Sequence, residues 1–222
     1  MLDDVLYPGV ATGNWAMLPA EKMALTGLLA RIKPRHALEI GTYFGGSLTL
    51  ISQFAEKVWA LDIDPDVPNR FKVPENVDLR IAQPEGLVGN MLNELEEKDI
   101  ALDFVLIDAD HSTEGVRRDI EAVIHRPVPP KKPMMILMHD ASNPGCREGM
   151  KTASWAACPY VHSVDLDFVP GQVQTLGSPD NPYYEVWGGF GMGYLLPTPR
   201  EGELKIQENA IKTINALHAA VR

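Results

Sequence analysis

The sequence predicts an α/β fold: a mostly parallel sheet covered by helices on both faces, with an antiparallel hairpin at its C-terminal end. Three observations carry this expectation. Apolar strand-like runs alternate with helical stretches from His36 to Ala157, the pattern of right-handed βαβ units. Two of these runs, Ala101–Asp108 (ALDFVLID) and Met134–Met138 (MMILM), are apolar on both faces, as central parallel strands are. The last two strand-like stretches have no helix between them, so they pair antiparallel. At 222 residues the chain suits one well-packed domain, with 1–33 as a lead-in and helix and 34–222 as the core.

Taken in order, residues 1–14 form an irregular lead-in punctuated by Pro8, Gly9 and Gly13. Residues 15–33 have helical periodicity through Trp15, Leu18, Met23, Leu25, Leu28, Leu29 and Ile32, and Pro34 ends that helix. The first strand, His36–Ile40, runs into the turn G-T-Y-F-G-G-S and a helix from about Ser47 to Ala55. Val58–Asp62 is the second strand, and a polar, proline-rich stretch, Asp64–Glu75, leads to the short strand Val77–Ile81. Gly86–Glu97 is helical, Ala101–Asp108 is a strand, and Glu114–His125 is an amphipathic helix. Pro127–Pro133 turns into Met134–Met138, which ends at His139–Asp140, and Gly145–Ala157 is helical. Val161–Phe168 and Tyr183–Leu196 alternate as strands with one wetter face. Between them the signals G-Q, G-S, P-D and N-P predict a loop over Val169–Pro182. Residues 200–220 form a closing amphipathic helix. The glycine-rich Gly188–Gly193 marks a bulge or a close packing contact inside its strand.

The bulk chemistry narrows the partners. A formal net charge of −10 argues against nucleic acid, because phosphate neutralisation needs clustered Lys and Arg. The compact basic pairs Arg117–Arg118 and Lys131–Lys132 read as solvated surface. Cys146 and Cys158 lack C-x-x-C spacing, which points to a reducing, cytoplasmic setting without a disulfide framework. The acidic N-terminus M-L-D-D-V-L-Y-P has no apolar signal core, and no apolar run approaches the ~20 residues that span a bilayer, so no membrane partner is expected.

In a parallel sheet of this kind ligands bind outside the carboxyl ends of the strands. The residues there are Glu39 and Gly41, Asp62 and Asp64, Ile81–Gln83, Asp108–His111, and His139–Asp140. Each major strand ends in an acidic or hydrogen-bonding residue. The bland reading is that strand ends are loops and loops are polar. The sharper reading is a nucleoside site. Gly41, Gly45 and Gly46 tolerate positive φ, and Glu39 just before the turn would repel a pyrophosphate but accept a cationic end or hydroxyls. Asp62 is placed to accept hydrogen bonds from a ribose diol. The spacing E-x-G-x-x-x-G-G also differs from the dinucleotide pattern G-x-G-x-x-G, which leaves an NAD-dependent oxidoreductase as the lesser alternative. A non-catalytic ligand-binding protein of the same fold is the third.

The stretch E-I-G-T-Y-F-G-G-S followed by L-D-I-D-P resembles the first two motifs of class I S-adenosylmethionine-dependent methyltransferases, over roughly Pro34–Gly145. Two later stretches, D-F-V-L-I-D-A-D-H-S-T-E-G-V-R-R-D-I and I-L-M-H-D-A-S-N-P-G, resemble the subgroup of macrolide-sugar O-methyltransferases and cephalosporin hydroxylase-like proteins. The resemblance implies a Rossmann-like, seven-stranded sheet and S-adenosylmethionine as cofactor. It implies an O-methyltransferase acting on a small hydroxylated acceptor such as a sugar moiety or secondary metabolite, and it admits homo-oligomers formed through N-terminal elements. Carried onto this sequence, the cofactor residues are Glu39, Gly41, Tyr43, Gly45, Ser47, Asp62, Ile63, Gln83 and Asp108. Ser47 either caps the helix that follows or meets the cofactor carboxylate.

The resemblance also implies a divalent metal on the acceptor hydroxyls, held by an acid ending the fourth strand and a Glu-Asp pair ending the fifth, with a histidine three residues after the first acid as base. The matching positions are Asp108, His139 and Asp140 for the metal and His111 for the base. His139 stands where Glu is expected, and imidazole suits Mn²⁺, Fe²⁺ or Zn²⁺ better than Mg²⁺. Three readings stay open here: a metal site, a metal-free site with His111 or His139 as the catalytic base, and structural roles alone. Asp110 caps the helix near Glu114 or faces solvent, and His36, His125, His162 and His218 read as surface or satisfied histidines. The acceptor pocket is expected from the lead-in, from Ser142–Glu148, and from Val169–Pro182 with Tyr183, Tyr184, Trp187 and Phe190.

Overall fold

The computed structural model describes residues 5–10, 15–82, 86–178 and 181–221. The elements are α1 (Pro19–Ile32), β1 (His36–Ile40), α2 (Gly46–Phe54), β2 (Lys57–Asp62), α3 (Val67–Arg70), β3 (Val77–Ile81), α4 (Leu87–Glu97), β4 (Phe104–Ile107), α5 (Thr113–Ile124), β5 (Met134–His139), α6 (Pro144–Thr152), β6 (Val161–Ser178), β7 (Asn181–Leu195), β8 (Ile206–Gln207) and α7 (Ile211–Ala220). Among the described residues eight strands make one sheet in the order β3-β2-β1-β4-β5-β7-β6-β8. β1 to β5 are parallel, and β7 runs antiparallel to both β5 and β6. The α/β class, the mostly parallel sheet and the C-terminal hairpin are therefore as expected.

Two apolar layers flank the sheet, because alternate residues of each strand point to opposite faces. On one face Leu38, Trp59, Leu61, Val105, Ile136 and Met138 pack against α4, α5 and α6. On the other Ala37, Ala60, Phe104, Leu106 and Phe190 pack against α1 and α2. Strand order reverses between β1 and β4, so the carboxyl ends of those strands open a crevice there.

Three expectations need correction, and a fourth stretch gains an element. The sheet has an eighth strand, because the stretch predicted as one helix over 200–220 instead contains the two-residue β8 and begins its helix at Ile211. No periodicity could announce so short a strand. The predicted loop Val169–Pro182 is a long two-stranded arm, with Val173 opposite Val186 and Leu176 opposite Tyr183. The G-Q, G-S and N-P signals sit inside strands, and Gly177 takes a left-handed φ of 84° and still pairs with Pro182; the P-D signal, Pro179–Asp180, lies outside the described residues. The helix predicted over Gly145–Ala157 stops at Thr152 and is followed by a separate 3₁₀ turn, Trp155–Ala157. Asp64–Glu75 contains the short helix α3.

The glycine stretch of β7 is a bulge and a packing seam, as the sequence suggested. Gly188 and Gly189 have φ of 78° and 86°, and the β6–β7 register shifts between Asp165 and Val169. A Cβ on Gly193 would lie 3.0 Å from the Trp155 ring. Trp155 is fully buried and its indole N–H donates to the Met150 carbonyl at 2.7 Å. It fills the space that Gly193 leaves beneath β7. Trp155→Ala should lower unfolding free energy by about 3–5 kcal/mol, read from urea denaturation midpoints at unchanged slope; a loss below about 1 kcal/mol would show that the seam is not packed as described.

Candidate functional site

The site is assembled from four strand ends. The turn after β1 is fixed by its backbone. Gly41 has φ of 90° and donates its N–H to Leu61 of β2 at 2.8 Å. A Cβ at Gly41 would sit 2.0 Å from the Asp108 carbonyl oxygen, so only glycine allows the β1 and β4 ends to come this close. Asp62, ending β2, accepts the N–H groups of Thr42 at 2.8 Å and Tyr43 at 3.1 Å on one oxygen, and that of Asp64 at 2.9 Å on the other. Gly45 is the N-cap of α2 with φ of 75°, and a Cβ there would collide with the Phe71 ring. Ser47 does not cap that helix; its buried hydroxyl serves Glu39 instead.

Glu39 lies beneath the turn with no exposed surface. Burial pushes its carboxyl up to about 8; hydrogen bonds from Ser47 and Thr42 pull it down, while the charges of Asp108 and Asp62 raise it. Its Oε2 accepts from the Thr42 hydroxyl at 3.2 Å. Its Oε1 is buried without a hydrogen-bond partner. A buried carboxylate oxygen with no donor is unfavourable by about 1–3 kcal/mol, so this atom suits a ligand that brings one.

Asp108 and His111 follow β4, and His139 and Asp140 end β5. His139 Nδ1 lies 3.0 Å from Asp108 Oδ1 and 3.3 Å from Asp140 Oδ2. Its Nε2 lies 3.3 Å from Oε2 of Glu21, a wholly buried acid of α1, though that contact is not aligned as a full hydrogen bond. Burial opposes charge on His139, but the surrounding carboxylates outweigh it and hold the imidazole well above its usual range. Burial likewise opposes ionisation of Asp108, and His139 and His111 hold it far below the carboxylate range. His111 is partly exposed, with Nε2 3.5 Å from Asp108 and 3.4 Å from Asp140; its hydrogen bond to Asp108 raises it, burial opposes, and Asp140 raises it further. Ligand atoms of Asp108, His139 and Asp140 all lie within 4.8 Å of one another. Cis ligands about 2.1 Å from an octahedral ion are roughly 3 Å apart, the spacing that His139 Nδ1 keeps from Asp108 Oδ1 and Asp140 Oδ2, so these are the groups that would hold a divalent cation.

These groups line one cleft of about 850 Å³, toward the upper end of the roughly 300–1,000 Å³ that small-molecule sites occupy. Gly41, Tyr43, Asp62, Ile63, Asp108, His111, His139 and Asp140 all line it. Glu39 lies under its floor, Gly45 and Ser47 shape the turn from behind, and Gln83 lies outside the described residues. Two cleft residues, Tyr43 and Asp140, hold left-handed φ of 53° and 58° without being glycine, a local strain that clusters at functional positions.

The far wall of the cleft is the β6–β7 arm, through Gln174, Leu176, Glu185 and Trp187. Of the aromatics expected there, Trp187 takes its place edge-on to His111, at 5.4 Å between ring centroids. Phe190 is instead core, and Tyr183 and Tyr184 are exposed farther along the arm. Ala16, just before α1 and outside the 1–14 lead-in, lines the cleft, whereas Ser142 is buried behind it, donating its N–H to the Gly188 carbonyl and accepting from the Gly171 N–H through its hydroxyl rather than touching ligand space. Asp110 does not cap α5. Ser112 does, accepting from Gly115 N–H at 3.0 Å, and Asp110 accepts from Ser112 N–H. Arg118, expected at the surface, borders the cleft beside buried Asp119. His36, His125, His162 and His218 each meet a backbone carbonyl. Both cysteines are free and buried, and no described helix is long and apolar enough to cross a membrane.

Sequence reasoning passed over Glu21, Thr42 and Glu185, whereas Gln174 falls in the stretch Val169–Pro182 from which the acceptor pocket is expected. Thr42 lay inside the quoted turn motif without a role, and Glu21 offered only the signal of an acid in a first helical turn.

Residues 38–141 match the family model described as a methyltransferase domain. No curated protein matches the sequence. Among solved structures the chain is similar to an O-methyltransferase from Bacillus cereus in complex with S-adenosylhomocysteine (18% identity, 81% of this chain and 82% of that one, TM-score 0.53). It is similar to a putative O-methyltransferase from Klebsiella pneumoniae (17%, 88% and 94%, TM-score 0.54). It is also similar to the O-methyltransferase of tomaymycin synthesis from Streptomyces achromogenes, in complex with S-adenosylmethionine (13%, 82% and 81%, TM-score 0.53). The fold is the one these structures share, and the stretch from Leu38 to Ala141, with the Glu39 turn at its start and Asp140 near its end, is the part that matches the methyltransferase-domain model.

Proposed function

We propose that the protein is an S-adenosylmethionine-dependent O-methyltransferase acting on a small hydroxylated molecule, a sugar moiety or a secondary metabolite. The observation that carries the reading is the unpartnered Oε1 of Glu39 beneath the glycine turn. A cationic donor would pair with the ionised carboxyl and an anionic pyrophosphate would not, which favours the amino-acid end of S-adenosylmethionine over a dinucleotide. Asp62 keeps lone pairs for ribose hydroxyls while it anchors the turn, and Ile63 and Tyr43 offer apolar surface beside it. The bound cofactor supplies an electrophilic methyl group on a sulfonium.

Transfer forms a C–O bond as the C–S bond breaks in line, and the acceptor hydroxyl loses its proton. His111 is the cleft group suited to take it. The imidazolium that results is stabilised by Asp108 and Asp140, 3.5 and 3.4 Å away. Asp108, His139 and Asp140 would hold a divalent cation, which would orient vicinal hydroxyls and lower their pKa. The acceptor is held against the arm by Trp187, Gln174 and Glu185. Asp62, Asp64, Asp108, Asp110, Asp119, Asp140 and Glu185 far outnumber the cations of the lining, so a neutral acceptor is favoured over a phosphorylated or carboxylated one.

Two outcomes test this. Free Glu39 holds its proton below about 8, and a cationic ligand end binds the ionised form. Calorimetry should therefore show S-adenosylhomocysteine binding below millimolar concentration, with affinity strengthening as pH rises from 6 toward about 8. Glu39→Gln should weaken it about tenfold or more and flatten that pH dependence; an unchanged profile in the variant would remove Glu39 from the cofactor site. With a panel of neutral polyols and phenols, release of S-adenosylhomocysteine measures turnover. His111→Ala should cut it by roughly 10²–10⁴ while leaving S-adenosylhomocysteine affinity unchanged, and undiminished turnover would exclude His111 as the base.

A further inference from the structure

Glu21 is an acid with no exposed surface, far in sequence from His139, Asp140 and the β7 bulge that surround it. A buried carboxylate persists only when donors compensate it. Glu21 has two backbone donors: the Leu18 N–H at the start of its own helix, and the Gly189 N–H of β7. Its third neighbour is His139, whose Nε2 lies 3.3 Å from Oε2. The Gly188–Gly189 bulge completes the arrangement. Two successive left-handed residues aim consecutive N–H groups at two different acids: Gly188 donates to Asp140 Oδ1 at 2.6 Å and Gly189 donates to Glu21. A Cβ at Gly188 would lie 2.6 Å from Glu21 Oε1, so glycine is required for the acid to be there.

His139 is thus flanked by carboxylates on both sides. Asp108 and Asp140 face Nδ1, and Glu21 faces Nε2. Packing fixes the ring plane, edge-on to buried Phe190 at 5.4 Å between centroids. A histidine that binds a metal through one nitrogen almost always donates its other N–H to a carboxylate or carbonyl, and that partner sets tautomer and orientation.

We propose that Glu21 is a positioning residue of the cation site: it holds the Nε2–H of His139, so that Nδ1 is presented as a ligand together with Asp108 and Asp140. This rests on the proposed metal site and extends it from strand ends to α1 and the β7 bulge. With His139 in place of a carboxylate, the donor set favours Mn²⁺ or Zn²⁺ over Mg²⁺.

The test uses the full chain and Mn²⁺ as probe, by calorimetry, with S-adenosylhomocysteine affinity measured on the same samples as a check of the cofactor site. Glu21→Gln should weaken Mn²⁺ binding by about 10- to 100-fold with S-adenosylhomocysteine affinity unchanged. Equal Mn²⁺ affinity in variant and parent overturns the proposal, as does a parent protein that binds S-adenosylhomocysteine but not Mn²⁺. Loss of S-adenosylhomocysteine binding in the parent would instead overturn the cofactor reading. A second measurement needs no variant: in ¹⁵N-histidine spectra of the parent loaded with Zn²⁺, His139 should carry its proton on Nε2 and the metal on Nδ1. The opposite tautomer would overturn the assignment even if Glu21→Gln failed to fold.

Discussion

The close approach of β1 to β4 at Gly41 governs the rest of the site. Its Cα sits against the Asp108 carbonyl, its N–H is bonded to Leu61 of β2, and the two residues after it give their N–H groups to Asp62. Three strand ends are thereby tied at one point. Glu39 is forced beneath the turn and Asp108 is brought to its edge, with the strand register Ile40 opposite Ile107 setting the level. Any side chain at position 41 would push β1 and β4 apart, and the buried acid and the cleft acid would lose their relation.

Around that point the protein accepts unfavourable electrostatics. Glu39, Asp140, His139 and Glu21 are all buried, and only the histidine carries opposite charge. Such clusters are stable where each group is matched by donors held in place elsewhere. Here the donors come from secondary structure: the Gly188–Gly189 bulge, the first turn of α1, and the Thr42 hydroxyl. The exceptions in this cluster are His139 Nε2, which faces Glu21 without an aligned hydrogen bond, and Glu39 Oε1, the acid oxygen among them that is buried without a donor from the described residues. Under the proposed function the ligand supplies the donor that this oxygen lacks. Farther out, Arg147 ties Asp167 and Glu208 to the Ala141 carbonyl, so the C-terminal elements brace the β5 end rather than the cleft wall.

Much of the site was legible because its information is local. Asp62, Asp108, His139 and Asp140 each follow an apolar strand directly, and strand ends are where a parallel sheet presents ligand groups. Their types and spacing carried the cofactor expectation. Glu21 was not legible, since nothing within its helix hints that Gly189 and His139 will surround it. The arm was misread for a different reason. Glycines and a proline between alternating stretches signal a turn, but Gly171 packs against the backbone of Trp187 and Gly188 within the paired strands. Bulged, twisted strands and loops use the same residues. β8 is too short for any pattern, and the cap reading of Ser47, given beside a cofactor contact, and of Asp110, given beside solvent exposure that the structure bears out, arose because helix starts, unlike tertiary contacts, are visible in sequence.

The most direct measurement of the central claim is a crystal structure grown with S-adenosylhomocysteine and Mn²⁺, with the metal located by anomalous scattering. The account predicts the cofactor amino group within hydrogen-bond reach of Glu39 Oε1 or one water away from it, the ribose diol on Asp62, and an anomalous peak bounded by Asp108, His139 and Asp140. A cofactor with its amino-acid end away from the Gly41 turn, or bound outside this cleft, would contradict it.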